Sequence, residues 1–559
     1  MKTLLAQTIA EHLRALEMEA PPEIQLDHPR AKEHGDFSSN IAMVLAKGMG
    51  LKPIDLAQKL AASLAQDSQL FSRVEVKGPG FLNLFLKTDA YHTALRALWA
   101  KPNQIAKPNV GQGRKILVEF VSANPTGPMH VGHGRNAVVG DCLARLLEAV
   151  GYAVTREFYI NDHGVQIKTL GVSGSHYHSV MTNVGGVQAA LPDDVYKGAY
   201  LEELVTRLKN EIAAVQGDPI AIGKLLGVEL LQTIKEELLR LGIVFDHYFS
   251  ESSLYESGKI DEALKVLRDQ NLAYDQDGAL WFKTSEFGDD KDRVLIKGDN
   301  TYTYLTPDIA YHKDKFDRKF DLYINVMGAD HGGYVQRIKA AVAALGFNPE
   351  QLQFLLMQLV NLKRGDEVVN MSKRTGDYVT LHEVIDEVGR DATRFFFMMR
   401  SHNATLDFDL ELAKQKTSDN PVFYIQYAHA RMSSIFAKAA EAGFDAPEKI
   451  LDVDLASLDL PEEIELIKTI ATYHEVLVLA AGEKEPHRVA FYLQDLAKTF
   501  QNYYSRGKTD ERYRVLSAQK DKTYAKLYLI KTLREVFRAG LEILGVSAPE
   551  RMERETEEI

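Results

Sequence analysis

Ile116-Leu117-Val118-Glu119-Phe120-Val121, running on through Ser122-Ala123-Asn124-Pro125-Thr126-Gly127-Pro128-Met129 into His130-Val131-Gly132-His133, decides the fold of this chain. Ile116 to Val121 is an apolar run with the length of a buried strand, and Val131 to Val150 carry a helical pattern that stops at Gly151. The segment between them is therefore a strand-to-helix turn. Phosphates bind at such turns, because a helix N-terminus offers backbone donors and a favourable dipole. His130 and His133 stand one helical turn apart, with Gly132 between them allowing close approach, so both imidazoles can hydrogen-bond phosphate oxygens. Far downstream, Met371-Ser372-Lys373-Arg374-Thr375-Gly376 reads as a flexible loop. Its Lys373 can neutralise charge developing on a leaving pyrophosphate, and the two segments together can surround an ATP.

Further strand patterns at Val154 to Ile160, Leu322 to Met327 and Phe354 to Val360 alternate with helical ones. This predicts an α/β fold with a doubly wound, Rossmann-like sheet at 114–410, carrying a helical insertion at about 164–290. A hairpin is expected where Val294 to Ile296 faces Tyr302 to Leu305 across Gly298-Asp299. Residues 1–100 mix helical and strand patterns and read as a small α+β domain, closed by the polar linker Lys101 to Gly113. From Asp419-Asn420-Pro421 onward only helical periodicity remains, so an all-α bundle is expected at 420–559.

At 559 residues the chain has material for about three or four domains and is no peptide-sized binding module. A formal net charge of -12 excludes a uniformly basic coat, so any nucleic acid must be held by local patches. The single cysteine, Cys142, excludes an internal disulfide and a cysteine-rich zinc cluster, and suits a reducing cytoplasm. Leu4, Leu5, Ile9, Leu13 and Leu16 recur at helical spacing, but Glu11, Arg14 and Glu17 interrupt the apolar core of a signal peptide. No run approaches the roughly 18 uncharged apolar residues of a membrane span, so a soluble, cytoplasmic protein is expected. His176 and His178 have no cysteine or clustered histidine near them and read as solvent-facing residues; no dedicated metal site is expected.

The paired motifs resemble the signature of class I aminoacyl-tRNA synthetases, His-x-Gly-His and Lys-Met-Ser-Lys-Ser. Four blocks narrow the resemblance to arginyl-tRNA synthetases and extend it over essentially the whole chain. They are Glu119 to Pro125, Tyr304-Leu305-Thr306-Pro307-Asp308, Gly328-Ala329-Asp330-His331-Gly332-Gly333-Tyr334 and Gly389-Arg390-Asp391-Ala392-Thr393-Arg394-Phe395. The last is similar to the Asp-Ala-Leu-Arg signature of that family's anticodon-binding domain, with Thr393 at the usual leucine. Gly545 to Met552 resembles the family's ending, and Glu553 to Ile559 extend beyond it as an expected disordered acidic tail.

A guanidinium is always charged and presents a planar fork of donors, so a selective pocket needs carboxylates fixed in its plane. Glu119 at a strand end and Asp308 just inside a helix start suit such a clamp if the sheet brings them together, with Thr306 capping that helix and Pro307 in its first turn. The simpler readings are a first-turn acid that stabilises its own helix and a charge at a strand end. The resemblance implies that Glu119, Asp308 and the Tyr304 hydroxyl hold the guanidinium while Asn124 holds the amino acid's backbone end. Asp330 and His331, in a Gly-rich turn, suit adenosine or ribose contact, although a simple tight turn uses the same glycines.

What the resemblance implies is a two-step reaction. The arginine carboxylate attacks the α-phosphorus of ATP, giving arginyl-adenylate and pyrophosphate, and arginine then moves to the terminal ribose of tRNA. His130, Gly132, His133 and Lys373 are the candidate catalytic residues; His130, His133, Asp330, His331, Met371, Ser372 and Lys373 are the candidate ATP contacts. Mg²⁺ is expected as ATP's companion. Asn370 and Arg374 depart from the class pattern, but Lys373 is retained. Some members that lack this lysine carry one three residues before the first motif histidine; here that position is Gly127, so Lys373 has no substitute.

From Lys498 to Arg538 eleven basic residues face four acidic ones, with Tyr503, Tyr504, Tyr513, Tyr524 and Tyr528 among them, a mixture suited to a single-stranded anticodon loop. A charged helix exterior over an aromatic core is the competing explanation. Arg506, Lys508, Arg512 and Met552 are the candidate tRNA contacts at this end. His34 to Asn40 and Gly78 to Asn83 resemble the domain this family sets against the D-loop of its tRNA, with Phe81 stacking on a base and Asn83 bonding its edge. The family implies a monomer whose activation of arginine needs tRNA. Two alternatives stay open: a class I synthetase for another amino acid, and a noncatalytic tRNA-binding paralogue.

Overall fold

The computed structural model describes residues 1–29, 31–67, 69–101, 104–182, 195–215, 217–369, 379–445 and 453–553. Its central sheet has five parallel strands: β1 (Lys115–Glu119), β2 (Ala153–Ile160), β3 (His247–Ser250), β4 (Leu322–Gly328) and β5 (Leu352–Met357), in the order β5-β4-β1-β2-β3. Ile116, Leu117 and Val118 are all buried, as a strand covered on both faces requires. The helices between strands are α1 (Val131–Ala149) after β1, α2 (Val165–Thr182) and α3 (Pro219–Arg240) after β2, α4 (Leu305–Asp317) after β3, and α5 (Val335–Ala344) after β4. The chain winds from β1 outward to β3 and then returns to the other side of β1. The switch point therefore lies between the carboxyl ends of β1 and β4, where open α/β sheets bind ligands.

Three strand expectations need correcting. β3 was not anticipated, because four residues with only Phe249 buried give no pattern a window can detect. Its place in the main sheet splits the supposed insertion. α2 and α3 precede it, while two short helices and the antiparallel strands Ala273–Gln276, Ala279–Phe282 and Arg293–Ile296 follow. The Phe354 to Val360 run is two strands: β5 ends at Met357, and Val360–Arg364 pairs with Leu406–Asp409 in another sheet. The hairpin after Ile296 reduces to one bridge, Ile296 with Tyr302; Arg293–Ile296 pairs with Ala279–Phe282 instead. Leu305 opens α4, and Thr306 is its second residue rather than its cap, its hydroxyl donating to the Leu295 carbonyl at 2.7 Å.

At the N-terminus, helices Lys2–Ala15, Ile41–Met49 and Pro53–Leu64 pack with a three-stranded antiparallel sheet whose middle strand is Phe81–Leu86. At the other end, helices Pro421–Glu441, Pro461–Ala471, Tyr473–Glu483, His487–Arg506 and α6 (Lys520–Leu544) form the helical bundle. Arg394 fastens this bundle to the sheet. Fully buried, it donates to Asp141 of α1 at 2.6 Å, to the Leu544 carbonyl at 2.8 Å and to the Leu241 carbonyl at 2.9 Å. Gly545, at φ +64°, makes room: a Cβ there would lie 2.3 Å from the guanidinium. Asp391 accepts from Gln426 at 2.8 Å and from the Ser547 amide at 3.2 Å, so the whole Gly389 to Arg394 block serves the junction.

Candidate active site

The turn after β1 is tightly wound. Val121 (φ +67°) and Ser122 (φ +43°) both sit in the left-handed region, which is costly for β-branched Val121 and persists only where surroundings enforce it. The enforcement is visible: the Val121 amide donates to Asn136 Oδ1 at 2.7 Å, and the Ser122 hydroxyl accepts from the Tyr159 amide at 3.1 Å. The next segment leads to α1, whose N-cap is His130.

His130 Nδ1 accepts from the Gly132 amide at 3.1 Å and the His133 amide at 3.4 Å, while His133 Nδ1 accepts from the His130 amide at 3.4 Å. The rings stack with centroids 3.8 Å apart. An accepting Nδ1 puts the proton of a neutral imidazole on Nε2. The amides of Gly132 and His133 are capped by His130. A Cβ on residue 132 would come within 2.9 Å of the His130 ring, which makes glycine necessary there. Beneath this turn lies buried Glu237 of α3, pushed up to about 7 by burial although the Met129 backbone donates to it. Thr380 pairs with His130, and the Leu381 amide donates to the Met129 carbonyl at 2.8 Å. Met371, Ser372 and Lys373 lie outside the described residues.

Glu119, the last residue of β1, is buried between Asn325 of β4 and Glu157 of β2. Asp308 enters from the first turn of α4. Burial pushes Asp308 up to about 6, opposed by the Tyr334 hydroxyl that donates to it at 2.7 Å and reinforced by the negative charge of Glu119. The two carboxylates therefore share one cluster, and Glu251, just past β3, joins it. Burial pushes Glu251 up to about 7, with Tyr159 and Tyr255 hydroxyls against it and Asp308 adding repulsion. Neither Asp308 nor Glu251 has a paired cation among the described residues; Glu119 has Lys315. Such a cluster accepts a cation.

Tyr304 requires a correction. Its side chain is 76 % exposed, and no hydrogen bond joins it to Glu119 or Asp308 among the described residues. The first residues of α4 turn that side chain outward while Asp308 points in. The tyrosines against the carboxylates are Tyr334, Tyr311 and Tyr159, which sequence reasoning missed along with Lys315 and Glu251. Asp308, Tyr311, His312 and Lys315 recur at helical spacing, a signal the sequence did contain. Asn124 is half-buried in the turn. Asp330 and His331 are exposed on the one-turn helix Ala329–Tyr334 that follows β4.

The tRNA candidates divide. Phe81 is 41 % exposed at the start of its strand, but Asn83 is 3 % exposed and faces inward, so the expected bond to a base edge has no open route. Arg506 pairs with Glu462 at 2.7 Å and Arg512 with Asp510 at 2.7 Å; both are exposed, as is Lys508, and Met552 is half-buried. Tyr503, Tyr513 and Tyr528 are buried, so these three belong to the bundle core and cannot stack on bases. Among the described residues no group of three potential ligands could hold a metal ion.

Comparison with known proteins places this geometry in a family. Residues 94–437 match the family described as tRNA synthetases class I (R), catalytic domain. Residues 425–552 match the DALR anticodon binding domain, and residues 3–86 match the arginyl tRNA synthetase N terminal domain. The chain is 45 % identical over 569 residues to an arginine–tRNA ligase of Syntrophotalea carbinolica, covering 99 % of this chain and 100 % of that one. It is 44 % identical over 541 residues to one of Geobacillus kaustophilus, covering 95 % of each. In fold it matches the solved Thermus thermophilus arginyl-tRNA synthetase with a TM-score of 0.77, 23 % identity and coverage of 99 % and 100 %.

Proposed function

Since this chain belongs to the class I arginyl-tRNA synthetase family, we propose a role in its reaction for each side chain gathered at the switch point. The protein ligates arginine to tRNA with ATP, through the adenylate intermediate standard for the class. In the proposed arrangement the guanidinium lies between Asp308 and the outward oxygen of Glu119. Asn124 holds the amino acid's backbone end and directs its carboxylate at the α-phosphorus. The Nε2 donors of His130 and His133 grip phosphate oxygens, Asp330 and His331 flank the ribose or base, and Met371 and Ser372 close over the nucleotide. Lys373 stabilises the leaving pyrophosphate. Catalysis comes from alignment and charge stabilisation, with no covalent enzyme intermediate. Mg²⁺ enters on the ATP phosphates, with exposed Asp330 within the same turn-rich rim.

One observation carries this reading: two carboxylates without a cation partner among the described residues, half-buried Asp308 and buried Glu251, lie beside Glu119 at the carboxyl end of the strand that leads to His130. A buried site with surplus negative charge recognises a cationic substrate and rejects neutral amino acids, whose binding would leave the carboxylates uncompensated. The test is ATP–pyrophosphate exchange across the amino acids with cognate tRNA present. Exchange dependent on arginine alone is the expected result. Loss of that selectivity in neither Asp308→Asn nor Glu119→Gln would overturn the assignment.

Transfer to tRNA is assigned to two remote surfaces. Phe81 supplies an aromatic face at the N-terminal end, and Arg506, Lys508, Arg512 and Met552 supply the other end. A monomer is the proposed working unit, as the family resemblance implies; sedimentation at micromolar concentration tests this. No helix among the described residues is long and apolar enough to cross a membrane, and a cytoplasmic setting is the reading that one buried cysteine supports.

A further inference from the structure

Two carboxylates at the sheet's carboxyl edge already have their cations. Glu157 of β2 is held by Arg318 through both oxygens and by His247 at 2.7 Å. Glu119 is held through Oε2 by Lys315, with the Tyr311 hydroxyl shared between that oxygen at 3.0 Å and Glu157 at 2.7 Å. Lys315 is fully buried, its ammonium also donating to Asn325 Oδ1 at 2.9 Å and lying 4.5 Å from the centre of the Tyr311 ring. Asp308, Tyr311 and Lys315 fall on one face of α4, so this helix brings both the unpaired carboxylate and the paired one's cation to the cluster. Among the described residues Glu119 Oε1, the other oxygen, receives only the Ser122 hydroxyl at 3.3 Å.

We infer that Lys315 is a positioning residue for arginine selection, holding Glu119 by its inner oxygen so that the outer oxygen meets the guanidinium in a fixed direction. The inference rests on the reading that Glu119 contacts arginine. An unpinned carboxylate can rotate about its last bond, whereas Lys315, itself fixed on Asn325, holds one oxygen of Glu119 inward and so fixes the direction of the other. Lys315 does this without touching substrate. It also leaves the cluster with surplus negative charge near Asp308, where a single cationic side chain is wanted. The charged and titratable groups around Lys315 are Asp308, Tyr311, His312 and Arg318 of its own helix, Glu119 of β1, Glu157 of β2 and, through Glu157, His247 of β3; β4 contributes the uncharged amide of Asn325.

The experiment measures arginine KM, ATP KM and kcat in ATP–pyrophosphate exchange with tRNA, for Lys315→Met, Lys315→Arg, Glu119→Gln and the Lys315→Met/Glu119→Gln pair. Lys315→Met is expected to raise arginine KM at least about tenfold, with ATP KM nearly unchanged. Lys315→Arg should restore most of the loss. Because a lone buried charge can prevent folding, the double variant, which removes both charges, is the safeguard. Its arginine KM should equal that of Glu119→Gln alone, since Lys315 then has nothing to position. If Glu119→Gln raises arginine KM while Lys315→Met leaves it unchanged, the inference falls and the arginine site stands. A double variant clearly worse than Glu119→Gln also overturns it. An unchanged arginine KM in Glu119→Gln removes Glu119 from the site altogether.

Discussion

The Tyr334 hydroxyl donates to Asp308 Oδ2 at 2.7 Å, joining the turn after β4 to the first turn of α4. Asp330 and His331 share that turn with Tyr334, so the rim proposed for the nucleotide and the carboxylate proposed for arginine are connected by one bond. Tyr334 is also the only hydrogen-bond donor on the Asp308 carboxylate among the described residues, and its bond opposes the effect of burial.

Tyr334→Phe should therefore raise Asp308 above its present value of about 6, and arginine binding at neutral pH should weaken. A hydrogen bond to a charged group suggests a rise in arginine KM of about tenfold at pH 7, shrinking toward alkaline pH as Asp308 ionises again. Exchange kinetics from pH 6 to 9 check this. A KM change that is the same at every pH would show that Tyr334 acts by shape alone.

The acid cluster makes arginine's stabilisation of the fold pH-dependent. Asp308 and Glu251 stand at about 6 and about 7, above their ordinary values of 3.8 and 4.5. For a carboxylate raised on folding, the stability is fully present below the unfolded pKa and is lost as pH rises through the folded pKa. In this cluster the loss runs from about pH 4 to pH 7. Arginine supplies the missing cation, so its thermal shift should be larger at pH 8 than at pH 5.5, by several degrees at saturation. Asp308→Asn should flatten the dependence. Glu237→Gln, which alters a buried carboxylate beneath His130, should leave it in place.

Arg394 should be among the most sensitive positions for stability. Arg394→Ala leaves Asp141 buried, with the Leu544 and Leu241 carbonyls short of a donor, a loss of about 3–5 kcal/mol. Arg145 and Arg156 also approach Asp141, at 2.8 and 3.6 Å, and moderate the effect. Gly545→Ala should destabilise too, through both its positive φ and the 2.3 Å approach to Arg394. Denaturant unfolding followed by circular dichroism measures both.

Local pattern carried the reading wherever function and fold coincide. The β1 turn and α1 were legible because a long apolar strand, a glycine and a long helical period follow one another. Glu119 and Asp308 were legible as charges at element ends. Glu251 was not, because β3 is four residues long and only its sheet partners make it a strand. The roles of Tyr304 and Asn83 came from the family resemblance, which does not say that the Tyr304 side chain leaves the helix cap outward or that the face of the strand carrying Asn83 is covered. Lys315 was overlooked as one more lysine in Lys313-Asp314-Lys315, although its spacing from Asp308 placed it on the inner face.

Lys373 yields the sharpest kinetic prediction. The chain re-enters at Thr380, which pairs with His130, and Leu381 is bonded to Met129. Six residues lie between Lys373 and Thr380, so at most about 23–25 Å of chain can separate the two Cα atoms. Gly127 offers no alternative ammonium three residues before His130. Lys373→Ala should therefore slow adenylate formation by about 10²–10³-fold, the scale of losing one preorganised charge partner in the transition state, with arginine binding little changed. Lys373→Arg, which keeps the charge but changes its geometry, should fall between the two. Single-turnover measurement of adenylate with bound tRNA separates this step from product release. A rate within about threefold of the parent in Lys373→Ala would remove the lysine from the first step and leave the His130 and His133 donors to carry the leaving charge.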